Sequence, residues 1–199
     1  KSSLSEEEII FPPYNAHQLQ DILVLRAGLA FRKGALEQGV IEKCAAFAAR
    51  EHGDARRALE LLRVAGELAE RRGEATVLIS DVDAAEDKID KDKILDLIAM
   101  QPKQAQLVLS SILSLSQNSG KFIFTGEIYE LYKKYCSDFG LRPLTQRRMS
   151  DILSEFDMLG IITARVISKG RYGRTREILL VPEAKTPAAK RAIDDALRA

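Results

Sequence analysis

Apolar residues recur through most of this chain in steps of three and four, and short alternating runs occur only in its last third. That pattern predicts a mainly α protein. Asn15 is a helix cap, after which Leu19, Ile22, Leu23, Arg26 and Leu29 or Ala30 lie near one face. A second helix is expected from about Val40 to His52, with Ile41, Cys44, Ala45, Phe47 and Ala48 inward. Gly53 interrupts it, and Asp54 caps a third helix ending at Gly73, with Ala58, Leu61, Leu62, Ala65 and Leu68 inward. Short turns between such helices make an α-helical bundle.

Glu74 to Ile79 includes a short β-prone run, and Ser80 is positioned to cap a long charged helix reaching about Met100. Its middle, Glu86 to Lys93, alternates acid and base and suits an exposed helix between domains. The boundary is expected near residue 90, giving a helical domain over 1–90 and a second domain over 91–199.

In that second domain Pro102 opens a helix over Lys103–Ser116, with Ala105, Val108, Leu109, Ile112 and Leu115 inward. Thr125 is expected to cap the next, whose Ile128, Leu131, Tyr132 and Tyr135 share a face and which ends near Gly140 and Pro143. Thr145 opens Gln146–Leu159, where Met149, Ile152, Leu153, Phe156 and Leu159 form a buried stripe. Ile161–Ser168 and Glu177–Val181 read as two strands, and the tail ends in a helix over Ala188–Leu197. Two helices joined by a short turn and followed by a hairpin predict a winged helix-turn-helix.

Arg147 and Arg148 sit in the first turn of the second of those helices, off its apolar stripe. Cations there oppose the helix macrodipole, so a negatively charged partner explains them. Duplex DNA is such a partner, because arginine reads guanine edges and phosphates from the start of a recognition helix. The hairpin connection Lys169-Gly170-Arg171-Tyr172-Gly173-Arg174-Thr175-Arg176 has two turn-permitting glycines and gathers Lys169, Arg171, Arg174 and Arg176 at its tip. Such a wing suits a DNA backbone or minor groove. The candidate DNA contacts are therefore Thr145, Gln146, Arg147, Arg148, Lys169, Arg171, Tyr172 and Arg174. A winged helix used only for protein contacts, with the basic hairpin solvated, fits the same pattern.

Composition narrows this reading. A length of 199 residues accommodates two modest domains, and a formal net charge of +1 means that positive charge must be local to matter. Cys44 and Cys136 lie far apart within helical patterns, as buried thiols of a reducing compartment do. His17 and His52 lack companions at metal spacing, so no metal site is expected. No apolar run reaches the roughly 18 residues of a membrane span, and no signal peptide precedes the first helix. The expectation is a cytoplasmic, nucleoid-associated protein without a membrane partner. The start at Lys1 without Met suggests a piece of something longer.

One further group of residues carries chemistry. Gly53-Asp54-Ala55-Arg56 places an arginine just after a helix cap, a positive locus that favours phosphate, although most Gly-Asp junctions are only caps. Arg26, at the edge of an apolar stripe, also fits a side chain that merely snorkels. Together with Phe11-Pro12-Pro13-Tyr14 and Gln18-Leu19-x-x-Ile22-Leu23-x-x-Arg26, the set resembles the helical lid of an AAA+ ATPase. With the wing it resembles archaeal origin-recognition initiator proteins, relatives of the eukaryotic origin recognition complex and its helicase-loading partner.

That resemblance implies a nucleotide-binding role for three residues. Arg56 matches the sensor-2 arginine that reaches the phosphates, with Arg57 the lesser candidate; Tyr14 matches the lid residue beside adenine, and Arg26 a second nucleotide-contacting position. It implies ATP or ADP with Mg in the full-length AAA+ protein, with none bound to this stretch. It also implies double-stranded origin DNA as a partner, with a replicative helicase and other initiator copies as further ones. A Gly-rich phosphate loop and a magnesium-holding Asp-Glu pair are absent from these residues, so the chain itself is not expected to hydrolyse ATP. The competing readings are a winged-helix transcription regulator with an N-terminal helical interaction domain, and a scaffold that does not bind DNA.

Overall fold

The structure, a computed structural model, describes residues 9–118, 122–168 and 174–198. It divides into two units, Lys1–Ile89 and Asp90–Ala199, each with a hydrophobic core of its own.

The first unit holds helices α1 (Ala16–Ala30), α2 (Val40–Glu51) and α3 (Ala55–Arg71), and the first half of α4 (Ile79–Ala99). Asn15 starts α1 with a reciprocal cap: its side chain accepts from the Gln18 N–H, and Gln18 Oε1 accepts from the Asn15 N–H, each at 3.0 Å. The buried line of α1 is Leu19, Leu23 and Ala27, whereas Leu29 is 79% exposed. The expected face was thus mis-registered at its far end. Repeated steps of three fall about 60° short of a turn and walk off the core, while steps of four overshoot by only about 40°. Ala45, Ala48, Ala58 and Ala65 are buried where the helices meet, and such small side chains allow close approach.

Ser80 does not cap α4, which already begins at Ile79. The free N–H groups there go elsewhere: Leu78 donates to Asp81 Oδ2 at 2.8 Å and Ile79 to Glu37 Oε2 at 2.8 Å. Asp81 is buried and paired with the Arg72 guanidinium, whose hydrogen bond holds its carboxyl below the usual carboxylate range. Lys43–Asp83 and Arg50–Glu86 link α2 to α4. The β-prone run after Glu74 reduces to one bridge, Val77 with Leu36.

The second unit holds the rest of α4, then α5 (Lys103–Asn118), β1 (Ile123–Phe124), α6 (Thr125–Asp138), α7 (Gln146–Met158), β2 (Ile162–Ser168), β3 (Arg174–Leu180), a short 3-10 turn at Pro182–Ala184, and α8 (Pro187–Arg198). The sheet is antiparallel in the order β1-β3-β2, and Ile162 faces Leu180 at one end of the hairpin while Ser168 faces Arg174 at the other. This is the winged helix-turn-helix that the periodicity predicts. Met149, Ile152, Leu153 and Phe156 of α7 are buried in one core with Ile128 and Tyr132 of α6 and Leu109 and Ile112 of α5.

Two details differ from expectation. A third strand, β1, pairs Ile123 with Ile178. It leads straight into α6, so Phe124 is the cap residue and Thr125 is already helical; Glu127 Oε2 accepts the Phe124 N–H at 2.9 Å.

Candidate nucleic-acid interface

The start of α7 is built by its cap. Thr145 has extended backbone and its Oγ1 accepts from the Arg148 N–H at 3.3 Å. The apolar stripe begins only at Met149, so Thr145, Gln146, Arg147 and Arg148 are all exposed. Arg148 leans 3.7 Å from Asp151, an exposed pair that water and salt screen. No side-chain bond or ion pair of Arg147 occurs among the described residues.

The hairpin rises beside it. Gln146 and Ser150 of α7, Val166 of β2, Arg174 and Arg176 of β3, and Thr125 and Gly126 of α6 line one cleft of about 470 Å³. Gln146 and Arg174, from the helix start and the wing root, thus share a concave surface. Lys169, Arg171 and Tyr172 lie outside the described residues. Arg176 does not join the tip charge as the sequence suggested, because its Nη1 donates to Ser154 Oγ at 2.8 Å and to the Ser150 carbonyl at 3.2 Å. β3 begins at Arg174, so residue 176 lies within the strand, alongside α7.

A second site gathers around Gly53 in the first unit. Gly53 has φ +66°, and a Cβ there would come within 2.5 Å of the Tyr14 carbonyl oxygen. The Tyr14 N–H donates to the Gly53 carbonyl at 3.1 Å, which fastens the Pro12-Pro13-Tyr14 segment to the turn. Asp54 then caps α3 by accepting from the Arg56 N–H at 2.8 Å. Tyr14 and Arg56 are both exposed beside this turn, and no side-chain bond of Arg56 occurs among the described residues. Arg57 is committed to Glu51, with Nε 3.1 Å from Oε2. Arg26 is not gathered there. It sits about 15 Å further along α1 than Ala16 at the helical rise, on a separate cleft of about 940 Å³ with Phe31, Leu59, Leu62 and Arg63.

Comparison with known proteins places both units. Residues 20–87 match the Cdc6 AAA+ ATPase-type lid domain, and residues 96–187 the CDC6 C-terminal winged helix domain. The chain is 54% identical over 197 residues to the ORC1-type DNA replication protein 1 of Archaeoglobus fulgidus, covering 99% of this chain and 47% of that protein. It is 56% identical over 179 residues to the ORC1-type DNA replication protein of Pyrococcus abyssi, covering 90% and 43%. The chain belongs to the Cdc6/ORC1 family of DNA replication proteins.

The family assignment separates the chain from winged-helix transcription regulators. Among solved structures it is similar to the Aeropyrum pernix ORC1 protein in complex with DNA, at 51% identity and a TM-score of 0.77, covering 98% of this chain and 49% of that one. The chain spans about half the length of the curated relatives it matches. Among the described residues no helix of this Cdc6/ORC1 protein is long and apolar enough to cross a membrane.

Sequence reasoning missed one set of residues in the winged-helix domain. Gln104, Tyr129 and Tyr132 hydrogen-bond the backbone of the α6–α7 turn. The available signal was Tyr132 itself: a phenol on an apolar stripe needs a partner for its hydroxyl.

Proposed function

We propose that this chain is a replication-initiator module that binds origin duplex DNA through its winged-helix domain and contributes its lid to an ATP or ADP site. The observation that carries the DNA reading is the shared cleft of Gln146 and Arg174, with exposed Arg147 and Arg148 following Gln146 in the same helix turn. A helix start and a wing root on one concave surface can grip a duplex by base edges and backbone together. The A. pernix relative, solved in complex with DNA, supports this reading. On this reading, Thr145, Gln146, Arg147 and Arg148 of this chain enter the major groove, and Lys169, Arg171, Tyr172 and Arg174 follow the backbone or the minor groove.

The lid residues fit one side of a nucleotide. Arg56 is an exposed cation with no partner among the described residues at a helix start, and Tyr14 presents a half-exposed ring from the same turn. Arg56 would reach the phosphates, where a bound nucleotide supplies negative charge, and Tyr14 would lie by the base. Arg26 belongs to the other end of α1 and is the weaker member. Magnesium, a replicative helicase and other initiator copies are partners of the longer protein on this reading, and its setting is the nucleoid.

The test is salt dependence. The probe is a duplex that the wild-type chain selects from a randomised pool. Replacing Lys169, Arg171 and Arg174 together by Ala should remove roughly two to three units from the slope of log affinity against log salt, at about 0.9 per phosphate. An unchanged slope and affinity would overturn the wing assignment.

A further inference from the structure

The α6–α7 turn is irregular backbone, and its polar groups need partners outside the regular hydrogen-bond ladders of helix and sheet. Its first part closes locally. Gly140 takes φ +64°, and the Leu141 N–H returns to the Cys136 carbonyl at 2.8 Å. Pro143 then brings no N–H. The last part is held from outside. The Leu144 N–H donates to Tyr132 Oη at 2.9 Å, and the Leu144 carbonyl accepts from Tyr129 Oη at 3.1 Å. The Tyr132 hydroxyl itself donates to Gln104 Oε1, and Gln104 Nε2 donates to the Arg142 carbonyl at 3.2 Å. Side chains of α5 and α6 therefore fix the backbone on both sides of Pro143, immediately before the Thr145 cap.

From this geometry we infer that Gln104 and Tyr132 are positioning residues for sequence reading: they set where the first turn of α7, with Gln146, Arg147 and Arg148, sits on the domain. The inference rests on the proposed DNA-binding role of that turn. Neither side chain reaches DNA; Tyr132 is wholly buried. Both act through the turn. Two-point hydrogen bonding to a base edge requires placement to about 0.5 Å, whereas long cationic side chains on phosphates adapt to larger shifts. Loosening the turn should cost discrimination between sequences and leave the backbone grip in place. A side chain that contributed stability alone would not separate the two.

The experiment uses the 199-residue chain, wild type, Gln104→Ala and Tyr132→Phe. Each is titrated against the duplex selected by the wild type and against a scrambled duplex of the same composition, across a salt series well below each variant's melting temperature. Gln104 is only half-buried, so Gln104→Ala keeps the test available should Tyr132→Phe fold poorly. The expected result is a specificity ratio lowered about five- to tenfold in both variants, with scrambled-duplex affinity and salt slope unchanged, within the range of one lost base contact. Gln104→Glu, which keeps the acceptor for Tyr132 but loses the donor to Arg142, should fall between. A wild type that enriches no sequence overturns the base-reading role and this inference with it. Enrichment by the wild type with an unaltered ratio in folded variants overturns this inference alone.

Discussion

Arg176 Nη1 lies 2.8 Å from Ser154 Oγ, so a cation that belongs to the hairpin by sequence belongs to α7 by contact. A second bond from the same nitrogen reaches the Ser150 carbonyl. Strand β3 and the middle of α7 are thereby joined across the cleft that both line. Arg176→Ala should cost the winged-helix domain about 1.5–3 kcal/mol, the range for a hydrogen bond to a charged group, read by urea unfolding. It should weaken DNA binding without changing the salt slope. A slope lowered by about 0.9 would show instead that Arg176 meets a phosphate.

The two arginines at the start of α3 should separate in a thermal melt. Arg57 is tied to Glu51 and its side chain is 14% exposed, so Arg57→Ala should lose about 0.2–1 kcal/mol, as partly exposed pairs do. Arg56→Ala should leave the melt unchanged. In a protein carrying both halves of the nucleotide site, Arg56→Ala should weaken ATP or ADP binding measured by calorimetry, and Arg57→Ala should not. The reverse result would transfer the phosphate role to Arg57.

How far these features are legible in the sequence depends on how far apart the partners lie. Asn15, Asp54 and Thr145 read directly as caps because each bonds an N–H two or three residues on. The α7 stripe reads directly too, since one helix face makes it. The strand β1 does not, because two residues pair only with Glu177 and Ile178, more than fifty positions away. Arg176 reads as part of the wing tip for the same reason: the Ser154 hydroxyl it bonds lies on α7, 22 positions away. Gln104 carries no local signal, and its role appears once α5 is packed against α6.

Acid should loosen the lid through Asp81. Its hydrogen bond with Arg72 is the main cause of a lowered carboxyl pKa, with a backbone bond from Leu78 helping. A carboxylate lowered in the folded state contributes stability that is fully present above its unfolded pKa and is lost as pH falls through the folded value. Urea midpoints should therefore drop below about pH 4, the unfolded value for Asp. Asp81→Asn should be less stable at neutral pH and should flatten that acid limb. An acid limb identical to that of the wild type would place the proton uptake on other groups.

Alkali should act on the winged-helix domain through Tyr132. Burial pushes its phenol up to about 12, so the hydroxyl that joins Leu144 to Gln104 stays protonated where an exposed tyrosine has ionised. The sign follows from the unfolded chain, which ionises first: this stability is complete below the ordinary phenol value near 10 and declines as pH rises toward the folded value. Absorbance at 295 nm should show one tyrosine titrating last in the folded chain, and Tyr132→Phe should remove that step. Ionisation of all five tyrosines together near pH 10, in a chain still folded by circular dichroism, would mean that water reaches the phenol and that the turn before α7 is not held shut.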